Sequence, residues 1–217
     1  MVFTQGWILA ERGDARRAQL ERFVADVYAH AYRADVHEFP PLLAAITDPN
    51  DAPVGVIGAR PAVEGPLFLE QYLDAPIECF VSASLASPMP RTRIAEVGSL
   101  ASTTPGFGKA LMSSLAAYLD GAGFDVAVFT ATRQLRNSIR KWNATTYDFG
   151  PACGDRLGAD RALWGAYYDT DPHVLAVHLK PFRACVAADA SLAAMLRNVW
   201  DEAWCDGSAH RRLERAS

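Results

Sequence analysis

Residues 94–131 read IAEVGSLASTTPGFGKALMSSLAAYLDGAGFDVAVFTA, and most of what the chain says about its fold lies there. Ile94 to Leu100 alternates as a strand, with Ile94, Glu96, Gly98 and Leu100 on one side and Ala95, Val97 and Ser99 on the other. A glutamate on the apolar side of that strand is a local conflict, and such conflicts tend to mark function. Thr103-Thr104-Pro105-Gly106-Phe107-Gly108 then turns the chain into a helix expected from Lys109 to about Asp120. Leu111, Leu115, Tyr118 and Leu119 form its core face, and Gly121-Ala122-Gly123 stops it. Asp125 to Ala131 reads as a buried strand. If the two strands lie parallel in one sheet, a right-handed crossover joins them. The glycine turn then sits where a strand ends and a helix begins, the place where ligands of open α/β sheets collect. Gly106 and Gly108 remove side chains there, and the first N–H groups of the helix are unpaired. Such donors suit a pyrophosphate or phosphopantetheine phosphate; an ordinary tight turn would use the same glycines.

Upstream, Asp14 is positioned to cap a helix running to about Tyr32, with Leu20, Phe23, Val24, Val27, Tyr28 and Ala31 on one face. Leu42–Thr47 and Pro53–Ala59 read as a hairpin about the turn Asp48-Pro49-Asn50-Asp51. A helical stretch opens after Gly65-Pro66; Pro76 either kinks it or begins a second helix capped by Asp74. Downstream, a basic helix is expected over Arg133–Trp142, a strand over Thr145–Phe149, a short helix over Arg161–Tyr168 and a strand over Val174–Leu179. Ser191–Trp204 has clean helical spacing, and the polar tail from Asp206 is expected to fray. The fold class is therefore α/β (α+β): a mixed central sheet flanked by helices, with an additional C-terminal helix.

The 217 residues are 50% hydrophobic and 21% charged, with a net charge of −4. That composition fits a globular chain and gives nucleic acid no clustered basic surface to bind. No apolar run reaches the roughly 18–20 residues of a membrane span. The segment Met1–Arg12 lacks the features of a secretion signal, and Cys79, Cys153, Cys185 and Cys205 have neither disulfide-framework nor metal-ligand spacing. The expectation is a cytoplasmic protein with reduced thiols and no metal.

The order of elements and the segment Thr103-x-x-Gly106-x-Gly108 resemble the Gcn5-related N-acetyltransferase (GNAT) fold, with Thr103 standing where that fold's phosphate loop carries arginine or glutamine. Leu67-Phe68-Leu69-Glu70-Gln71-Tyr72-Leu73-Asp74, Glu96-Val97-Gly98-Ser99-Leu100-Ala101 and Tyr167-Tyr168-Asp169-x-Asp171-Pro172 resemble the thermostable hemolysin family, which usually has asparagine at the position of Ser99. The resemblance runs from about residue 15 to residue 180. It suggests a GNAT-like acyltransferase domain over residues 1–182, a helical extension over 183–205 and a flexible tail over 206–217. In plan the chain is also similar to acyl-homoserine-lactone synthases. The implied activity is direct transfer of an acyl group from an acyl-CoA or acyl-carrier-protein thioester to a small amine or amino-acid derivative. Two rivals stand beside it: a synthase that also consumes S-adenosylmethionine, and a non-catalytic membrane-active protein.

Glu96 is the first candidate for chemistry, because an amine attacking a thioester must lose a proton and a partly desolvated carboxylate suits that task. The plain alternative is a strand glutamate paired with Arg91 or Arg93. The resemblance implies oxyanion donors in the backbone of Gly98, Ser99 and Leu100. It also implies donor binding by Thr103, Gly106, Gly108, Lys109 and Asn137. Glu70, Asp74 and Glu78 are four apart; on one helix they would make an acidic stripe beside Tyr72, facing either a cationic acceptor or solvent. Tyr168 is the candidate catalytic hydroxyl, and His173 a candidate acceptor contact or a turn residue. Arg133, Arg136 and Arg140 offer a surface for a carrier protein or the 3′-phosphate of CoA, or simply a solvated face. The last helix, with Trp200 and Trp204, is a candidate homodimer seam.

Overall fold

The structure, a computed structural model, describes residues 6–214. Seven strands form one sheet: β1 (Gly6–Ala10), β2 (Leu42–Thr47), β3 (Pro53–Pro61), β4 (Ile94–Ser102), β5 (Val126–Ala131), β6 (Thr146–Pro151) and β7 (His173–His178). Their order is β1-β2-β3-β4-β5-β7-β6. Only β4 and β5 pair in parallel; every other neighbour is antiparallel. Among the described residues are six α-helices: α1 (Arg17–Tyr32), α2 (Ile77–Leu85), α3 (Gly108–Ala122), α4 (Arg133–Lys141), α5 (Leu179–Ala188) and α6 (Ala190–Glu214).

Alternation along β4 sorts the two sides of the sheet. Ala95 joins the large core beneath α3, α5 and α6, whereas Ile94 joins a second core with Leu67, Leu69, Tyr72, Ile77 and Val81. A third cluster packs Leu20 and Val24 of α1 on Leu43, Ala45 and Val56. The sheet is thus covered on both faces, and its one parallel pair lies near the middle, where parallel strands are normally found buried.

Several expectations need correcting. Trp7–Ala10, for which the sequence suggests no element, lies in edge strand β1, paired with β2. Asp14 does not cap α1: its carboxylate accepts the Arg16 N–H in a turn before the helix. After Leu67 the chain makes a 3-10 turn, Phe68–Tyr72, and α2 starts directly after Pro76. Proline therefore begins a second helix, and Asp74 pairs with Arg156 instead of capping it. The short helix expected over Arg161–Tyr168 is two separate 3-10 segments, Gly154–Trp164 and Tyr167–Thr170.

The largest departure is at the C-terminus. Residues after β7 form α5, with Pro181 in its first turn where no N–H is needed. The helix expected to end at Trp204 continues to Glu214, so the tail from Asp206 is helical as far as it is described; residues 215–217 lie outside the described part. Gly207 explains the continuation: a Cβ there would collide with Tyr118 O, so α6 lies backbone-to-backbone against α3. Of the 15 residues of α3, 12 are buried, because α6 covers the face turned away from the sheet.

Candidate active site

The central irregularity of the sheet is at Ser99. Gly58 pairs with Gly98 and Val56 with Ala101, so Ile57 faces two residues, Ser99 and Leu100. This is a β-bulge, and Ser99 adopts a left-handed φ of +52° to make it. The parallel pairing of β4 with β5 ends in the same place: it runs from Ile94↔Val126 to Val97↔Phe129 and no further. Beyond it the two strands part, and the edge of β4 over Gly98–Leu100 is released.

A cavity of about 330 Å³ occupies the gap. On one side of the sheet its walls are Tyr28, Phe68, Tyr72, Trp164 and Tyr167, with Arg60 and Glu96 between them. On the other side it reaches Val97, Met112, Phe129 and Leu135. A small apolar void shares Val97, Met112 and Phe129 with it and continues between the sheet, Leu115 and Leu119 of α3 and Phe182 of α5. The gap between the strands therefore joins a polar, aromatic chamber to an apolar one.

Glu96 projects into the first chamber from β4. Its two oxygens accept the N–H groups of Phe68 (2.9 Å) and Leu69 (2.8 Å), which start the 3-10 turn over Phe68–Tyr72. Withdrawal from water raises its pKa; the two N–H groups and Arg60 act in the opposite direction. A carboxylate has about four acceptor sites, so each oxygen retains capacity toward the cavity. Neither Arg91 nor Arg93 pairs with it. Arg91 grips Glu70 through both terminal nitrogens (2.6 and 2.8 Å), and Arg93 pairs with Asp125 at 2.7 Å.

The structure separates the other candidates into those at the cavity and those away from it. Gly98, Ser99, Leu100 and Tyr72 line it. Tyr168 stands behind the wall, its hydroxyl 2.6 Å from that of Tyr72. Burial raises the pKa of both phenols, Tyr168 to about 12. Glu70, Asp74 and Glu78 form no stripe, since a 3-10 turn, a bend and α2 carry one each. Glu70 also takes the N–H groups of Leu67 and Ile77, so its carboxylate is spent inside the protein. His173 lies outside the cavity, with Nδ1 against Asp148 at 2.9 Å. Arg136 is tied to Asp171, which Arg133 also approaches at 3.4 Å.

The glycine turn lies past the released edge, where β4 runs out and α3 begins. Gly106 has φ +81°, and α3 has no side-chain cap and no acidic residue in its first turn. Thr103 is exposed, and Asn137 is exposed on α4. Lys109 is engaged elsewhere: its Nζ lies 2.6 Å from Asp189, at the junction of α5 and α6, and stands over the ring of Trp142. Backbone donors, not Lys109, are what this turn offers to an anion.

Sequence reasoning reached Tyr72 but missed Arg60 and most of the aromatic wall. Arg60 sits in the hairpin's second strand, one residue past the Pro53–Ala59 range expected for it, with no motif around it. The aromatic residues come from α1 and from segments about 40 and about 140 residues further along the chain. Hydrogen bonds from Asp35 N to Leu163 O (2.6 Å) and Ala166 N to Tyr32 O (2.8 Å) bring those segments together.

Among the described residues no helix is long and apolar enough to cross a membrane. By sequence, no curated protein matches the chain. Solved structures do share its fold. LasI, an AHL synthase, is 14% identical with a TM-score of 0.55, over 82% of this chain and 91% of that one. BjaI, a CoA-dependent acyl-homoserine lactone synthase solved with SAM and isopentyl-CoA, is 11% identical with a TM-score of 0.57, over 96% and 100%. FeeM, an N-acyl amino acid synthase from uncultured soil microbes, is 12% identical with a TM-score of 0.52, over 83% and 95%. At such identities the likeness is one of fold, the GNAT-like mixed sheet expected from the order of elements. The thermostable hemolysin family model matches residues 10–182, which take in strands β2 to β7, and the chain belongs to that family.

Proposed function

We propose that this protein is an acyltransferase that moves an acyl group from a CoA or carrier-protein thioester to a small amine by direct attack. One observation carries the reading: the bulge at Ser99 and the end of β4–β5 pairing open a cavity through the sheet, with Glu96 inside it and an uncapped helix N-terminus beyond it.

Each part has a role in that reaction. Backbone donors of Gly106, Gly108 and the start of α3 receive the donor's phosphates, with Thr103 and Asn137 flanking the approach. The pantetheine arm runs along the released edge at Gly98–Leu100, and the acyl chain enters the apolar chamber at Val97, Met112 and Phe129. The amine lies in the aromatic chamber. Its nitrogen attacks the thioester carbon, the backbone at the bulge stabilises the developing oxyanion, and Glu96 accepts the proton the nitrogen loses. The C–S bond then breaks, and the thiolate leaves and takes up a proton. Tyr72 borders the acceptor, with Tyr168 holding its hydroxyl in place.

The test is thiol release from acyl-CoA and acyl-carrier-protein donors with a panel of amines. The expected result is amine-dependent release, cut by about 100-fold or more in Glu96→Gln with an unchanged circular dichroism spectrum. Near-normal turnover of that variant would remove Glu96 from the chemistry. Leakage of liposomes with no thioester consumption would replace the enzyme reading by a membrane-active one.

A further inference from the structure

We propose that the acceptor is a free α-amino acid with an apolar or aromatic side chain, its carboxylate held by Arg60 and its amine presented to Glu96. The inference rests on the acyltransferase reading and names the substrate class of that site.

Arg60 of β3 is the register partner of Glu96 of β4. Residues directly opposite in an antiparallel pair point to the same face, with Cβ atoms about 4.5–5.5 Å apart. A guanidinium and a carboxylate therefore stand side by side in one cavity wall. Arg60 makes a single long hydrogen bond, 3.5 Å to Pro66 O, and no ion pair within 4 Å is found for it among the described residues. The contrast with its neighbours is direct, because Arg91 and Arg93 are consumed by Glu70 and Asp125. Arg60 thus keeps most of a planar fork suited to bidentate binding of a carboxylate.

Charge balance selects among acceptors. A simple amine enters as a cation, and Arg60 repels it. An α-amino acid brings its own counter-charge, with ammonium and carboxylate on the same carbon, to match two groups adjacent on the wall. Much of the remaining wall is aromatic, from Tyr28, Phe68, Tyr72, Trp164 and Tyr167, with Phe68 and Trp164 ring centroids 5.3 Å apart; Glu38 and Gln71 also line it. That surface favours an apolar or aromatic side chain over a charged one. In the reaction the amino-acid nitrogen bonds to the acyl carbon and the C–S bond breaks. The ammonium first releases one proton to solvent through Glu96, which frees the nitrogen lone pair for attack; the second proton goes to Glu96 as the amide forms, and the thiolate takes up a proton from water. The products are an N-acyl amino acid and a free thiol.

The experiment offers three acceptors of one shape, L-phenylalanine, L-phenylalaninamide and phenethylamine, with L-aspartate and L-lysine as charged comparisons. Product mass and thiol release are measured, and L-phenylalanine is titrated calorimetrically into the full-length protein. Phenylalanine should exceed the amide and the amine by about tenfold or more in kcat/KM, the cost of an unpaired charged hydrogen bond. Arg60→Gln should bring that ratio close to unity through KM, and Arg60→Lys should restore part of it. Comparable use of amine and amino acid would leave the acyltransferase standing and overturn the proposal. Failure of every acceptor, with no heat of amino-acid binding, would overturn both.

Discussion

Ser99 holds a φ of +52° in the middle of a strand, a conformation that glycine and asparagine accept more readily than other residues. The family resemblance places asparagine at this position, and the bulge supplies the reason. A β-branched side chain cannot sit there without strain. Ser99→Val should therefore lower stability by about 1–2 kcal/mol and reduce acyl transfer, whereas Ser99→Asn should retain both; denaturant midpoints and thiol release measure the two effects. Glu96 makes a prediction of a different kind. As a base it works only when ionised, and burial raises its pKa above the ordinary value of 4.5. The acid limb of kcat/KM should thus rise with pH at a value above the usual glutamate range. Glu96→Gln should abolish that limb, and a limb unchanged in the variant would assign it to another group.

At the scale of elements, the 3-10 turn over Phe68–Tyr72 is held from two directions. Glu96 takes its first N–H groups, and Glu70 ties it through Arg91 to the start of β4 and through Ile77 N–H (2.9 Å) to α2. Burial pushes the Glu70 carboxyl up, but Arg91 and the N–H groups of Ile77 and Leu67 outweigh it and hold the pKa at about 2. Because the folded pKa lies below the ordinary 4.5, this contribution to stability is present above pH 4.5 and is lost as pH falls towards 2. Glu70→Ala should cost about 2–3 kcal/mol at neutral pH, less than a fully orphaned buried ion because Glu78 still pairs with Arg91. The variant should also show a flatter loss of stability between pH 4.5 and 2, followed by acid titration of tryptophan fluorescence. The i, i+4 spacing of Glu70, Asp74 and Glu78 was legible in the sequence, but it has meaning only on one continuous helix. The extended Leu73 and the break at Pro76 remove that premise.

For the molecule as a whole, α6 decides how α3 is buried. Without it the sheet would cover only one face of α3, the situation that the Leu111, Leu115, Tyr118 and Leu119 stripe describes. With it Ser113 and Ser114 are buried too. The contact depends on two glycines: a Cβ at Gly121 would meet Trp204 O, and one at Gly207 would meet Tyr118 O. Gly207→Ala gains helix propensity but forces the two backbones apart, and should destabilise the protein by about 2–3 kcal/mol, read from its urea midpoint. An unaffected midpoint would mean that α6 contributes little to the fold. Asp189 at the head of α6 also carries the ion pair with Lys109, so the same helix draws a cation away from the glycine turn.

Local patterns in the chain carried the order of elements, the β4–turn–α3–β5 unit and the placing of Glu96 on a buried face. Each depends on the periodicities of strand and helix, which relate residues two to four apart. The partnership of Arg60 with Glu96 spans two strands and depends on register, which the bulge at Ser99 shifts by one residue. The aromatic wall, the diversion of Glu70 and Lys109 into ion pairs, and the continuation of α6 past Trp204 all arise from groups 20 to 140 residues apart. Such contacts follow from how faces pack and which polar groups must be satisfied once buried. Tertiary packing alone settles those questions, and it is there that the aromatic chamber takes its chemical character.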